Sequence, residues 1–247
     1  MNNKWLRVKN ELPDAEMRVF CLPYAGAGAT MYIRWPKYFG KNIEICPIQL
    51  PGRENRMQEL LIDDIGILIP EIYEGIKHKL DKKFCIFGHS MGGIIAYELA
   101  KFIEKKEGIL PEYLFMSATG LNIKKSDMII HKLEKNDFIE FLINSGGTER
   151  ELAENKEFQE YYLPIIKNDY KLVENYIPNE EKLKCSIRAF GSKNDTQVDI
   201  KETEKLERCT DDFNITYFEG NHFFIREHEK EICDIISKMI DKGKNNE

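Results

Sequence analysis

The stretch Phe84-Cys85-Ile86-Phe87-Gly88-His89-Ser90-Met91-Gly92-Gly93 decides the fold. A short apolar run with strand character leads into a G-x-S-x-G pentapeptide at residues 88–92, and a helical pattern of apolar residues follows from Met91. A serine in this setting sits on a sharp turn above the end of a strand, where the crowded backbone leaves room only for glycine on both sides. The stretch therefore predicts a strand–turn–helix unit with Ser90 as a nucleophile.

Around this unit the chain alternates between short apolar runs and longer segments with helical periodicity. The short runs, rich in β-branched and aromatic residues, cover residues 19–23, 43–50, 84–88, 113–118, 187–191 and 215–219. The main helical patterns cover 63–80, 91–106 and 227–242. Runs that are apolar on both faces are typical of parallel strands buried between helix layers. The sequence therefore predicts an α/β fold with a mostly parallel central sheet flanked by helices.

One region interrupts the alternation. Residues 124–179 contain no convincing strand, and helical runs at 135–144 and 157–176 are separated by a glycine-containing break at 145–148. A helical insert of this length between strands is typical of a lid. We expect a single domain over residues 1–247 with a helical lid insertion at 124–179. A structural buttress packed on the body is the alternative.

Composition excludes several classes of protein. The 247 residues are 42% hydrophobic and 11% aromatic, which is too apolar for a mainly disordered chain. The net charge of −6 argues against a protein that mainly grips nucleic acid or an anionic membrane. The six cysteines have no CxxC spacing, and neither a secretory signal nor an apolar stretch long enough for a membrane span is present. We expect a reduced, cytoplasmic protein in which four cysteines beside apolar runs (Cys21, Cys46, Cys85 and Cys185) are small buried hydrophobes, and nothing demands more than a monomer.

A serine nucleophile needs a general base, and in this architecture the order along the chain is Ser, then Asp or Glu, then His. His222 follows the strand-like run at 215–219, where folds of this kind place functional loops. Asp195 follows the run at 187–191 and lies between Ser90 and His222 in sequence. We predict Ser90, Asp195 and His222 as a catalytic triad, with Asp199, a candidate helix cap, as the rival for the acid.

Acyl transfer at Ser90 also needs backbone N–H groups aimed at the developing negative charge. The N–H of Met91, directly after the nucleophile, is one expected donor. The small-residue loop at 23–29 supplies the other, and we predict the N–H of Ala25. Glycines after a strand are also typical of dinucleotide loops, but residues 26–31 lack the third glycine of G-x-G-x-x-G.

Taken together, these segments resemble the type II thioesterases that accompany nonribosomal peptide and polyketide synthases, within the α/β-hydrolase superfamily. The likeness covers nearly the whole chain. It rests on Leu22-Pro23-Tyr24-Ala25-Gly26, Leu50-Pro51-Gly52-Arg53-Glu54-Asn55-Arg56, Gly88-His89-Ser90-Met91-Gly92-Gly93, Asn168-Asp169-Tyr170 with Glu174-Asn175-Tyr176, and Gly220-Asn221-His222-Phe223-Phe224.

This resemblance implies a serine thioesterase that removes acyl groups from the phosphopantetheine arm of acyl or peptidyl carrier proteins, clearing mis-primed or stalled synthases. It implies a carrier protein as partner, an acyl pocket shaped by the insert, and no cofactor or metal ion. Arg53 and Arg56 then have two interpretations. They either neutralise a phosphate or carrier-protein acids, or form salt bridges that fix their own loop.

Three alternatives remain at this point. The first is a sister enzyme on the same fold, either a carboxylesterase or lipase, or a thioesterase that releases medium-chain fatty acids. The second is a non-catalytic binding module, against which Ser90, Asp195 and His222 weigh. The third is a nucleotide-binding oxidoreductase, which the missing third glycine disfavours.

Overall fold

The computed structural model describes residues 3–9, 11–121, 129–179 and 181–244. Its centre is a sheet of six parallel strands in the order β2-β1-β3-β4-β5-β6. The strands are β1 Met17–Leu22, β2 Ile43–Pro47, β3 Lys83–His89, β4 Tyr113–Ser117, β5 Ser186–Ser192 and β6 Phe213–Phe218. Each of the six predicted runs overlaps one of these strands. The α/β class and the mostly parallel sheet are therefore confirmed.

Seven α-helices accompany the sheet in the described part of the chain. They are α1 Ile65–Ile76, α2 Met91–Glu107, α3 Lys135–Asn144, α4 Arg150–Ala153, α5 Lys156–Asn175, α6 Ile200–Glu204 and α7 Glu229–Lys244. The pattern at 63–80 overestimated α1, because the Asp64 side chain caps the first turn and the last residues tighten into a 3₁₀ turn. The α3 bounds agree with the sequence pattern.

The sheet is covered on both faces, which explains its apolar strands. Phe20 and Leu22 of β1 point into a core shared with α1 and α2. Val19 and Cys21 point into a second core shared with α7. Successive residues of a strand face opposite sides, so one six-residue strand contributes to both cores.

Residues 129–179 contain α3, α4 and α5 and no strand. These helices form a small apolar cluster of their own, which includes Phe138, Leu142 and Leu163. The predicted lid starts at residue 124, and residues 122–128 lie outside the described residues. The helical insert thus has its own core and lies between β4 and β5 in sequence.

Candidate active site

Ser90 occupies the turn between β3 and α2. Its backbone has φ 54° and ψ −121°, a strained conformation for a residue with a side chain, and its N–H donates to the Ser117 carbonyl at 2.8 Å. A Cβ on Gly88 would meet the Gly92 carbonyl oxygen at 1.9 Å, and one on Gly92 would meet the Leu22 oxygen at 2.3 Å. The two glycines are therefore required, because backbone closes in on both sides of the serine.

His222 lies in the loop after β6, and its ring reaches the serine. Its Nε2 is 2.8 Å from Ser90 Oγ, and its Nδ1 is 2.7 Å from Asp195 Oδ2. A carboxylate only accepts hydrogen bonds, so Nδ1 carries the proton and Nε2 is free to accept the serine hydroxyl. The side chains of His222 and Asp195 are each 2% exposed. This arrangement can take a proton from Ser90.

Asp195 lies in the loop after β5 and is held by that loop. Its Oδ1 accepts the backbone N–H groups of Gln197 at 2.8 Å and Val198 at 2.9 Å, which leaves Oδ2 for His222. The rival acid, Asp199, accepts the Lys201 N–H at 3.0 Å as the cap of α6. The geometry brings Asp195 to the histidine and assigns Asp199 to the helix.

The remaining histidines have other partners. His78 contacts Asn3 on the surface, His131 pairs with Glu174, and His228 packs against Phe218. His89, whose role sequence reasoning missed, is fully buried beside His222. Burial lowers the pKa of His89 well below its ordinary value, and the nearby His222 acts in the same direction. The ring is therefore neutral.

Ala25 and Met91 line the same cavity as Ser90 and His222. Met91 is the first residue of α2, so its N–H has no acceptor within the helix. Ala25 belongs to the loop after β1, which is the loop predicted to supply the second donor. Both residues predicted to supply oxyanion donors thus line the cavity that contains Ser90, and their role as donors stays a prediction. The cavity measures about 890 Å³, and its walls include Phe141, Tyr170, Val173 and Val198.

The cysteines take no part in this site. All six are free and buried. Burial raises the pKa of Cys185 to about 12 and that of Cys21 further, so these thiols stay protonated.

Among the residues that the structure describes, no group of three or more His, Cys, Asp or Glu side chains is arranged to hold a metal ion. No described helix is long and apolar enough to cross a membrane.

Arg53 and Arg56, for which two interpretations were open, are buried and paired. Arg53 is 4% exposed and bonds to Asp169 of α5. Arg56 is also 4% exposed and bonds to Glu59 three residues later. Arg53 therefore ties its own segment to α5, and Arg56 holds the segment that contains the Gln49 carbonyl and Glu59. The signal for Asp169 was present in the sequence, since helical spacing puts it on the same face as the buried Ile165, Ile166 and Leu172.

The sequence of this chain is similar to those of known thioesterases. The family described as Thioesterase domain matches residues 17–240. Gramicidin S biosynthesis protein GrsT of Aneurinibacillus migulanus is 35% identical over 96% of this chain and 94% of its own length. The human protein named S-acyl fatty acid synthase thioesterase, medium chain, is 30% identical over 93% of this chain and 89% of its own length.

Two solved structures have the same architecture. ClbQ from the colibactin NRPS/PKS pathway superposes with a TM-score of 0.87 at 30% identity, covering 94% of this chain and all of that one. The type II thioesterase BorB from the borrelidin biosynthetic cluster superposes with a TM-score of 0.85 at 30% identity, covering 95% of this chain and 97% of that one.

Proposed function

The chain belongs to the thioesterase domain family, and we propose that it hydrolyses acyl thioesters on the phosphopantetheine arm of carrier proteins, thereby clearing mis-primed peptide or polyketide synthases. The observation that carries this proposal is the hydrogen-bonded chain Ser90–His222–Asp195, of which Ser90 and His222 line a cavity of about 890 Å³. Relatives from gramicidin, colibactin and borrelidin biosynthesis support the choice of substrate.

The reaction takes two steps. Ser90 Oγ attacks the thioester carbonyl while His222 Nε2 takes the hydroxyl proton, and Asp195 stabilises the imidazolium that forms. The C–S bond then breaks, His222 gives its proton to the departing pantetheine sulfur, and the acyl group stays on Ser90 as an ester. Water enters, gives a proton to His222 and attacks the ester. The acid then leaves, and the proton returns to Ser90.

Both tetrahedral intermediates carry a negative oxygen that needs donors in place beforehand. In this proposal the N–H groups of Ala25 and Met91 supply them. Such donors raise the rate because they meet charge that develops only in the transition state, and removing one from a comparable site costs about 10²–10³ in kcat.

In this proposal the insert at 124–179 acts as a lid that shapes the acyl pocket. Its described part supplies Phe141, Tyr170 and Val173 to the cavity wall. The enzyme would work as a cytoplasmic monomer, with a carrier protein as its partner and with no cofactor or metal ion in either chemical step.

Carrier-bound substrates test the proposal directly. The full chain is incubated with acetyl-phosphopantetheinyl peptidyl carrier protein, and the released thiol is measured. We expect turnover that Ser90→Ala reduces by at least about 10⁴-fold, because the nucleophile is lost while the fold stays. Ser186→Ala, which removes a hydroxyl at the start of β5 that contacts Asp212, is the matched control and should keep wild-type activity. Near wild-type turnover in the Ser90→Ala variant would contradict the proposed mechanism.

The medium-chain fatty-acyl thioesterase is the second candidate, because the human relative with that name aligns over most of the chain. It is less favoured than the synthase-associated function, since the more similar relative and both structures belong to peptide or polyketide pathways. Comparing octanoyl and acetyl carrier protein, acyl-CoA and p-nitrophenyl esters separates these alternatives. A strong preference for octanoyl-CoA would favour the second candidate, and one for simple esters would favour a carboxylesterase.

A further inference from the structure

Two segments outside the proposed triad meet in a buried ion pair. Arg53 follows β2, and Asp169 lies on α5 of the insert. Arg53 Nη1 is 2.6 Å from Asp169 Oδ2, and Nη2 is 2.8 Å from Oδ1, which is a bidentate pair. The two residues are 4% and 1% exposed. With its carboxylate partner in place and only 4% of the residue exposed, Arg53 offers little free surface to the phosphate of an incoming arm.

The same pair holds the loop that contains Ala25. Asp169 Oδ2 also accepts the N–H of Gly26 at 2.7 Å. Arg53 Nη1 donates to the carbonyl of Ala27 at 3.1 Å. Within the loop, the Ala27 N–H donates to the Tyr24 carbonyl at 3.0 Å. The four consecutive peptide bonds between residues 24 and 28 therefore each have either their C=O or their N–H group in a hydrogen bond.

These bonds determine where the Ala25 N–H points. A trans peptide unit is planar, and its C=O and N–H point in opposite directions. The peptide unit that contains the Ala25 N–H also contains the Tyr24 carbonyl, which accepts from the Ala27 N–H. In the next unit, the Gly26 N–H donates to Asp169. Neither unit can rotate without breaking a bond. The Ala25 N–H is thus set before any substrate arrives.

We propose that Asp169, held by Arg53, is a positioning residue that orients the Ala25 N–H for the oxyanion and so couples the insert helix α5 to the rate of the chemical step. The inference rests on the proposed function, because it takes Ala25 as an oxyanion donor. Ile166, one turn earlier on α5, supports it. A Cβ on Gly26 would lie 2.6 Å from Ile166 Cγ1, so α5 packs closely against the loop at Gly26, the residue whose N–H bonds to Asp169.

Charge gives Arg53 a second role. A buried carboxylate bonded to the loop would oppose a negative oxyanion nearby, since charges act strongly at short range in a poorly hydrated site. The bidentate guanidinium neutralises it. The loop therefore gains a strong anchor without placing net negative charge beside the reaction.

The test compares Asp169→Asn with wild type on acetyl carrier protein and in labelling of Ser90 by a fluorophosphonate, whose adduct is also tetrahedral. We expect kcat and the labelling rate each to fall about 10- to 100-fold, with KM changed less than about threefold, because the transition state alone uses the oriented amide. Thermal unfolding monitors the fold. If Asp169→Asn does not fold, Arg53→Lys, which keeps the charge but loses the bidentate geometry, carries the same test.

Glu59→Gln is the matched control. Glu59 pairs with Arg56, the other buried arginine of this segment, at 2.8 and 2.7 Å, and it also pairs with Lys4. It should keep kcat within about twofold even where thermal stability falls. Unchanged kcat and labelling in folded Asp169→Asn would overturn the inference, and so would an equal loss in Glu59→Gln. A wild-type protein with no thioester hydrolysis would instead refute the proposed function.

Discussion

The ring of His89 reaches from the serine turn to the backbone of His222, with Nε2 2.9 Å from the His222 carbonyl oxygen. That carbonyl only accepts, so Nε2 carries the proton. Nδ1, 2.9 Å from Ser117 Oγ, then accepts the serine hydroxyl. One neutral imidazole thereby links β3, the end of β4 and the loop after β6. The centroid of its ring lies 5.6 Å from that of the His222 ring.

Replacing His89 should slow the reaction by loosening His222. His89→Leu removes the donor and leaves a buried carbonyl without a partner, so we expect kcat to fall about 10-fold or more with KM little changed. His89→Gln can place its amide N–H near the position of Nε2 and should recover much of that loss. Steady-state kinetics of the two variants, each checked for folding by circular dichroism, decide this. Equal losses in both would mean that the hydrogen bond is unimportant.

Stability should depend on pH through the same ring. Burial holds the pKa of His89 well below the unfolded value of about 6.5. Below that pH the unfolded chain takes up a proton that the folded chain refuses, so the contribution is complete above pH 6.5 and is lost on acidification. We expect wild type to lose up to about 1.4 kcal/mol per pH unit more than His89→Gln between pH 6.5 and pH 5. Urea unfolding of both proteins measures the difference, and parallel pH profiles would contradict it.

Substitutions of the two candidate acids, Asp195 and Asp199, should affect activity differently. Asp195→Asn should lower kcat by roughly 10³–10⁴-fold, because an amide no longer holds the His222 tautomer and cannot offset the imidazolium charge. Asp199→Asn is the control. Asparagine caps helices as well as aspartate, so both activity and stability should stay near wild type, whereas Asp199→Ala should cost about 1 kcal/mol of stability. Thioester kinetics and urea unfolding of the three variants check this. A larger kinetic loss at Asp199 would make it the acid.

The features that could be predicted from the sequence are those determined by residues close together along the chain. The serine turn, the strands and the loops that contain Asp195 and His222 follow from short patterns and from a fixed order along the chain. The bond between Arg53 and Asp169 joins residues 116 apart, and no local pattern pairs them. Asp169 still left a trace as a lone carboxylate on the apolar face of α5.

The contact of His89 could not be foreseen for a similar reason. Its place in the pentapeptide accepts many residues, and its partner is a backbone carbonyl 133 residues away. Backbone acceptors have no sequence signature. The order of the strands in the sheet was also open, since a parallel sheet fixes the handedness of each connection but not the position of each strand.

The cavity that contains Ser90 leads to a last prediction, about substrate size. Val173 lies on α5 and faces the cavity that contains Ser90. Val173→Phe should therefore shorten the space for long acyl groups and leave room for small ones. We expect kcat/KM for octanoyl carrier protein to fall about tenfold or more while that for acetyl carrier protein stays within about threefold. The matched control is Ile177→Phe, which makes a similar change at a residue that is 83% exposed just after α5, and both rates should hold there. If Val173→Phe slowed both substrates equally, the acyl group would not extend toward α5, and the cavity would serve the pantetheine arm instead.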